Sequence, residues 1–154
     1  MEGIGLEEAY VKWADELVRF ATVLVGPDDA ADVVADAFVQ LLDQPDWGRV
    51  DQPRAYLFGV VANRAKMSQR SSFRRRRRDE RVVRRQRVAA PEAAAHSSAA
   101  DDLGVLSAQQ RTFVYLAYWE DWTATQIAEQ LGVSGGTVRR QLARARTKLR
   151  EELA

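Results

Sequence analysis

The sequence predicts an all-α protein: two small helical domains joined by a flexible linker. Three observations predict it. Apolar residues recur at alternating spacings of four and three over long windows, which is the period of one helix face. No window shows a convincing strand pattern, and no internal repeat is present. Residues 88–101, VAAPEAAAHSSAAD, are small and featureless and contain a proline, a composition that separates domains rather than packing them. The expected division is therefore a first domain over 1–87, a linker over 88–101 and a second domain over 102–154.

The first helix carries Leu6, Tyr10, Trp13, Leu17, Phe20 and Leu24 on one continuous stripe. Gly26-Pro27 ends it, and Asp28-Asp29 open a second helix with acids that favour its N-terminal dipole. That helix runs to about Leu42, with Val34, Phe38 and Leu41 on one side and Asp32, Asp36 and Gln40 on another. Residues 43–53, DQPDWGRVDQP, read as a loop, because prolines, a glycine and aspartates disfavour both helix and strand. A third helix starts near Arg54 and carries Tyr56, Leu57, Val60 and Val61 before passing into an arginine-rich stretch.

Beyond the linker, Ser107 followed by Gln110 reads as a capping box for a helix through about Tyr118, and Thr123 with Gln126 repeats the signal. Residues 123–149, TATQIAEQLGVSGGTVRRQLARARTKL, then spell a short helix, a tight turn at Gly132 and a basic second helix capped by Ser134. The second helix has an apolar stripe of Val138, Leu142, Ala145 and Leu149, and bases on its other faces. Two helices joined through a short Gly-containing turn form a helix-turn-helix, whose second helix enters a DNA major groove. The plainer alternative is a helical hairpin with a solvated basic face; the turn, the cap and the one-sided charge together favour DNA. The residues at or near the end that enters the groove are Ser134, Gly135, Gly136, Thr137, Arg139, Arg140 and Gln141, with Arg144 one turn on.

Charge is segregated although the net is only +1. Residues 1–63 hold 12 acids and 4 bases, residues 64–87 hold 12 bases and 2 acids, and residues 88–154 hold 7 bases and 8 acids. This points to a nucleic-acid surface in one place and a different partner in another. Aromatic and amide groups (Tyr56, Phe58, Asn63) and a Trp47-containing loop precede the basic track; bases stack on rings while arginines follow phosphates, as single-stranded DNA binding requires. Trp47 reads equally well as a core residue. The absence of cysteine removes disulfides, thiolate metal sites and thiol catalysis. His96, the only histidine, falls in the linker, and no phosphate loop is present. Asp32, Asp36 and Gln40 share a face, but without a second set of ligands they read as a solvated or protein-contact face rather than a metal site. The expectation is no enzyme activity, no cofactor and no metal. An acidic N-terminus and the lack of a spanning apolar stretch predict a cytoplasmic protein without membrane insertion.

Three segments in order now resemble one family, the small extracytoplasmic-function sigma factors of the sigma-70-like group. DDAADVVADAFVQLL resembles its region 2.2, RAYLFGVVANRAKMSQRSSFRRRRR its regions 2.3 and 2.4, and residues 103–150 its region 4, including an LP-x-x-Q-R-like opening at Leu106 to Arg111. The resemblance implies docking on the β′ clamp helices of core RNA polymerase by Asp32, Asp36, Phe38, Gln40 and Leu41. It also implies capture of unpaired −10 promoter bases by Trp47, Tyr56, Asn63, Lys66 and Arg70, with Arg74 and Arg75 in the same basic track. Region 4 would read the duplex −35 element and touch the β flap. An anti-sigma factor is a further candidate partner beside core polymerase and promoter DNA. Two competing readings are a stand-alone helix-turn-helix regulator, which would bind an operator without core polymerase, and a DNA-processing enzyme, which would lose activity on Asp32→Ala and Asp36→Ala.

Overall fold

The computed structural model describes residues 3–44, 46–68 and 103–153. Among these, the regular structure is helical throughout. The N-terminal half holds α1 (Leu6–Val25), α2 (Ala30–Leu42) and α3, over 53–68. Glu7 and Glu8 sit in the first turn of α1, where the helix dipole favours them. Gly26 ends α1 at φ 91°, a left-handed backbone that a side chain would strain, and its N–H closes on Thr22 O at 2.9 Å. The short turn that follows folds α2 back along α1.

Leu17, Phe20, Ala21 and Leu24 of α1 pack with Val34, Ala37, Phe38 and Leu41 of α2 and with Leu57, Phe58, Val61 and Ala65 of α3. The rings of Phe20 and Phe58 lie 5.0 Å apart. Each large apolar side chain buried in this way contributes about 1.5–3 kcal/mol against exposure. The predicted stripe of α1 is buried only at its C-terminal end: Tyr10 packs edge-on against Phe38 yet stays 48% exposed. Phe58, grouped in the sequence with aromatics that could stack on bases, is fully buried and serves the core instead.

The C-terminal half begins with a short 3-10 turn, Leu103–Val105, followed by α4 (Ala108–Val114), α5 (Ala124–Leu131) and α6 (Gly135–Leu153). Both expected capping boxes form. Ser107 Oγ accepts from Gln110 N at 3.2 Å while Gln110 Oε1 accepts from Ser107 N at 3.1 Å. Thr123 and Gln126 exchange the same pair at 3.1 and 2.8 Å. The α-helix expected through Tyr118 instead widens into a π turn over Tyr115–Trp119, with the rings of Tyr115 and Trp119 stacked 5.7 Å apart at 4°. Phe113, Leu116, Ile127, Val138, Leu142 and Ala145 form the core of this half.

The two halves touch. Phe20 meets Tyr115 at 5.0 Å, and Phe58 meets Trp122 at 6.0 Å. Arg54 pairs with Glu16 at 3.0 Å within its own half and with Glu120 of the other half at 2.8 Å. The linker expected over 88–101 lies outside the described residues, as do Arg70, Arg74 and Arg75.

Candidate nucleic-acid interface

The helix-turn-helix is assembled by local signals. Ile127 is fully buried and anchors α5; Gly132 then takes the left-handed conformation at φ 68°, and Val133 N donates to Ala128 O at 3.1 Å. Ser134 turns the chain into α6: its Oγ accepts from Thr137 N at 3.1 Å and pairs with the Thr137 hydroxyl at 2.8 Å. Val138 and Ala145 are fully buried and Leu142 is nearly so, which fixes the rotation of α6 about its axis. That rotation leaves Ser134, Gly136, Arg139, Arg140 and Arg144 exposed, and Gly135 and Thr137 half-buried. The Arg139 guanidinium bends back over the first turn, its Nη1 3.2 Å from the place a side chain on Gly135 would occupy. One cationic group therefore stands at a helix N-terminus whose N–H groups also attract anions.

Gln141 departs from the expected face. It is half-buried and accepts a hydrogen bond from Gln110 Nε2 at 3.0 Å. Gln110 is itself buried, and its Oε1 also accepts from Lys148 Nζ at 3.1 Å. Gln141 thus ties α6 to α4, a role that helical periodicity alone does not distinguish from groove contact.

In the N-terminal half, Trp47 lies in a short 3-10 turn, Trp47–Arg49, and is half-buried. Its indole N–H donates to Ile4 O at 3.0 Å, which holds the ring in place, and its ring lies 6.3 Å from that of Tyr56. Trp47, Tyr56, Gln44, Arg49 and Leu41 line a cavity of about 390 Å³ that is open to solvent. A ring, a phenol, an amide, a guanidinium and the Asp46 carboxylate stand around one recess, which can stack on a flat aromatic ligand and hydrogen-bond its edge. Gln44 and Arg49 belong to this recess; loop composition gave no signal for them. Asn63 and Lys66 lie farther along α3, both exposed, on the wall of a separate cleft.

The acidic face of α2 is set apart from both. Asp32, Asp36 and Gln40 are exposed, with Val39 and Leu42 exposed beside them at 59% and 70%. Gln40 Oε1 accepts from Arg64 Nε at 2.9 Å. Phe38 and Leu41, expected on the same docking face, turn inward at 7% and 2% exposure because their positions on α2 face α1. Among the described residues no group of three or more acidic, His or Cys side chains is placed to hold a metal, and no helix is long and apolar enough to cross a membrane.

The Sigma-70 region 2 family model matches residues 9–79, and the Sigma-70, region 4 model matches residues 103–151. The chain is 34% identical over 152 residues to an RNA polymerase sigma-E factor of Streptomyces coelicolor, covering 95% of this chain and 85% of that protein. It is 33% identical over 145 residues to the ECF RNA polymerase sigma factor SigL of Mycobacterium tuberculosis, covering 88% and 78%. Among solved structures it resembles the sigma factor RpoE in complex with the anti-sigma factor NepR from Bartonella quintana. The TM-score is 0.75 at 22% identity, over 96% of this chain and 95% of that one.

Proposed function

The chain belongs to the extracytoplasmic-function group of sigma-70-like RNA polymerase sigma factors, and from that membership we infer that it binds core RNA polymerase and directs it to specific promoters. The observation that carries this reading is the ordered pair of matches, region 2 then region 4, each on a half whose surface suits its task. Sigma factors are regulatory subunits, so the catalytic centre belongs to the polymerase.

The surfaces support the following residue roles. Arg139, Arg140 and Arg144, with Ser134, Gly135, Gly136 and Thr137 at the leading turn, enter the major groove of the −35 element. Arginine held bidentate to a guanine edge contributes about 1–3 kcal/mol of discrimination. The recess of Trp47 and Tyr56 accepts an unpaired base of the −10 element, and Asn63 and Lys66 follow the strand. Extracting a base from the stack costs a few kcal/mol, so ring stacking and phosphate contacts must offset it together. The α2 face of Asp32, Asp36 and Gln40, flanked by Val39 and Leu42, docks on the β′ clamp helices, with Phe38 and Leu41 supporting it from within. Exposed Tyr118 and Trp119 offer apolar surface to the β flap. RpoE, a solved structural relative, is in complex with an anti-sigma factor, and a protein of that kind is a candidate partner here.

The test is reconstitution. Purified chain mixed with core RNA polymerase should form a complex that survives gel filtration. Tight operator binding by the free protein without any affinity for core enzyme would favour a stand-alone regulator.

A further inference from the structure

Gly26 and Gly132 are explained by their backbone, since both hold left-handed φ values, 91° and 68°. Gly135, the first residue of α6, has no such φ. Any residue can adopt its backbone, and glycine is the poorest helix former after proline. A glycine here therefore needs a reason other than conformation. What fills the place of its side chain is the guanidinium of Arg139.

Arg139 stands one turn on from Gly135, at i+4. Side chains on a helix lean toward its N-terminus, so a long one at i+4 covers residue i. Nη1 of Arg139 is 3.2 Å, and Cζ and Nη2 are each 3.8 Å, from where a β-carbon on residue 135 would stand. Non-bonded carbon atoms rest at about 3.5–4.0 Å, so such a β-carbon and this guanidinium cannot both keep their places. The guanidinium is the far end of a flexible side chain, so it yields and the helix does not. Gly135 is half-buried between exposed Ser134 and exposed Gly136, as this cover requires. A β-carbon on Gly136 would meet Ser134 Oγ at 4.0 Å, an ordinary contact.

The seat is a poor one for a cation in the free protein. The N-terminal end of a helix carries partial positive charge, and cations are stabilised at the opposite end. Holding the guanidinium still also costs rotamer freedom, of which arginine has much to lose. Both costs are offset when an electronegative surface meets the leading turn, because the cation is then already placed. Ser134 and Thr137, the other polar side chains of this turn, are engaged with each other at 2.8 Å. That leaves Arg139 as the principal outward donor of the turn. Residues at this end of a groove-entering helix meet base edges, and a guanidinium held in one place matches guanine bidentately.

We propose that Gly135 is a positioning residue for promoter selection: its missing side chain forms the seat that holds the Arg139 guanidinium over the leading turn of α6, set to read one guanine edge of the −35 element. The proposal rests on the reading of α6 as the helix that enters the −35 groove. A side chain at 135 unseats the guanidinium, so the ordering cost returns at binding and the base contact loses its register.

The test has two parts. In the free full chain, NMR relaxation of the Arg139 Nε–H group reports how firmly the guanidinium is held, its resonance being the one lost in Arg139→Ala. Gly135→Ala and Gly136→Ala each add one methyl group and favour the helix alike, so unfolding of α6 cannot explain a difference between them in this measurement. In holoenzyme reconstituted with core RNA polymerase, competition among promoter fragments with single base-pair changes across the −35 element reads specificity. It is measured for wild type, Gly135→Ala, Arg139→Ala and the double variant.

The Arg139 group should be less ordered in Gly135→Ala than in wild type, and unchanged in Gly136→Ala. Wild-type holoenzyme should discriminate about tenfold at one −35 base pair, and Arg139→Ala and Gly135→Ala should lose discrimination at that same base pair. Adding Gly135→Ala to Arg139→Ala should change affinity by less than about twofold, because the effect of the glycine runs through the arginine. Unchanged order of Arg139 in Gly135→Ala would overturn the seat. Retained discrimination in Gly135→Ala, or an equal loss on every fragment and in both arginine backgrounds, would overturn the positioning role. Wild-type holoenzyme that discriminates at no −35 base pair would overturn the −35 reading of α6 and the positioning role with it, whereas the seat is judged by the order of Arg139 alone.

Discussion

Gln110 donates its side-chain amide to Gln141 at 3.0 Å, so one buried residue both caps α4 and fixes α6 against it. Losing it removes half of a capping box and leaves the Ser107 N–H and the Gln141 amide short of a partner. Gln110→Ala should therefore cost about 1–3 kcal/mol of stability, read as a lower urea midpoint at unchanged slope. Binding of −35 duplex should fall with it. Unchanged stability would mean that water replaces these bonds without loss.

The two halves should be separable by mutation. Arg139→Ala with Arg140→Ala should weaken −35 duplex binding and reduce the salt slope by about one for each phosphate no longer neutralised. Core polymerase binding should stay intact. Asp32→Asn with Asp36→Asn should do the reverse, weakening the complex with core enzyme and leaving duplex affinity unchanged. Equal loss of both activities in either variant would contradict this division of labour.

Trp47→Ala should weaken single-strand −10 binding by about 1–3 kcal/mol, the range for a stacked base, with −35 duplex binding unaltered. The indole also donates to Ile4 O, so a fold readout is needed beside it. Trp47→Phe, which keeps a stacking face but loses the N–H, should recover most of the strand affinity if stacking is the role of this ring. No recovery would assign the residue to packing of the N-terminal segment.

Much of the C-terminal half was legible because its signals are local. Two capping boxes, a glycine forced left-handed at 132 and a stripe at Val138, Leu142 and Ala145 each lie within a few turns of sequence. The N-terminal half was less legible. α3 is apolar on more than one face, so periodicity could not say that Phe58 turns inward while Tyr56 stays at a surface recess. On α2 periodicity separates Phe38 and Leu41 from Asp32 and Asp36, and only the family resemblance groups them on one docking face; the structure buries the first two and exposes the acids. The bridge from Arg54 to Glu120 spans 66 residues of sequence, and no spacing rule reaches that far. Nor does composition signal the π turn at Tyr115–Trp119.

Tyr115 gives the contact between the halves an alkaline limit. Burial, with the nearby Glu120 carboxylate adding to it, raises its phenol pKa above the ordinary value despite opposing Arg19 and Arg54. The folded state thus retains this proton more tightly than the unfolded state. Stability from the neutral phenol is fully present below the unfolded value of about 10 and is lost as pH rises through the higher folded value. Melting temperature should therefore decline above about pH 10, and Tyr115→Phe should decline less. Identical declines would show that this phenol is not the group concerned.

This chain should give core RNA polymerase a promoter that core alone does not use. Transcription starts that appear when the protein is overproduced identify candidate promoters, and run-off transcription from one of them with purified components tests the claim. Core enzyme with the chain should yield a defined transcript, core enzyme alone should not, and the Arg139→Ala, Arg140→Ala form should bind core yet yield little. A transcript that does not depend on the chain, or none despite a stable complex with core, would show that the chain does not act as a sigma factor.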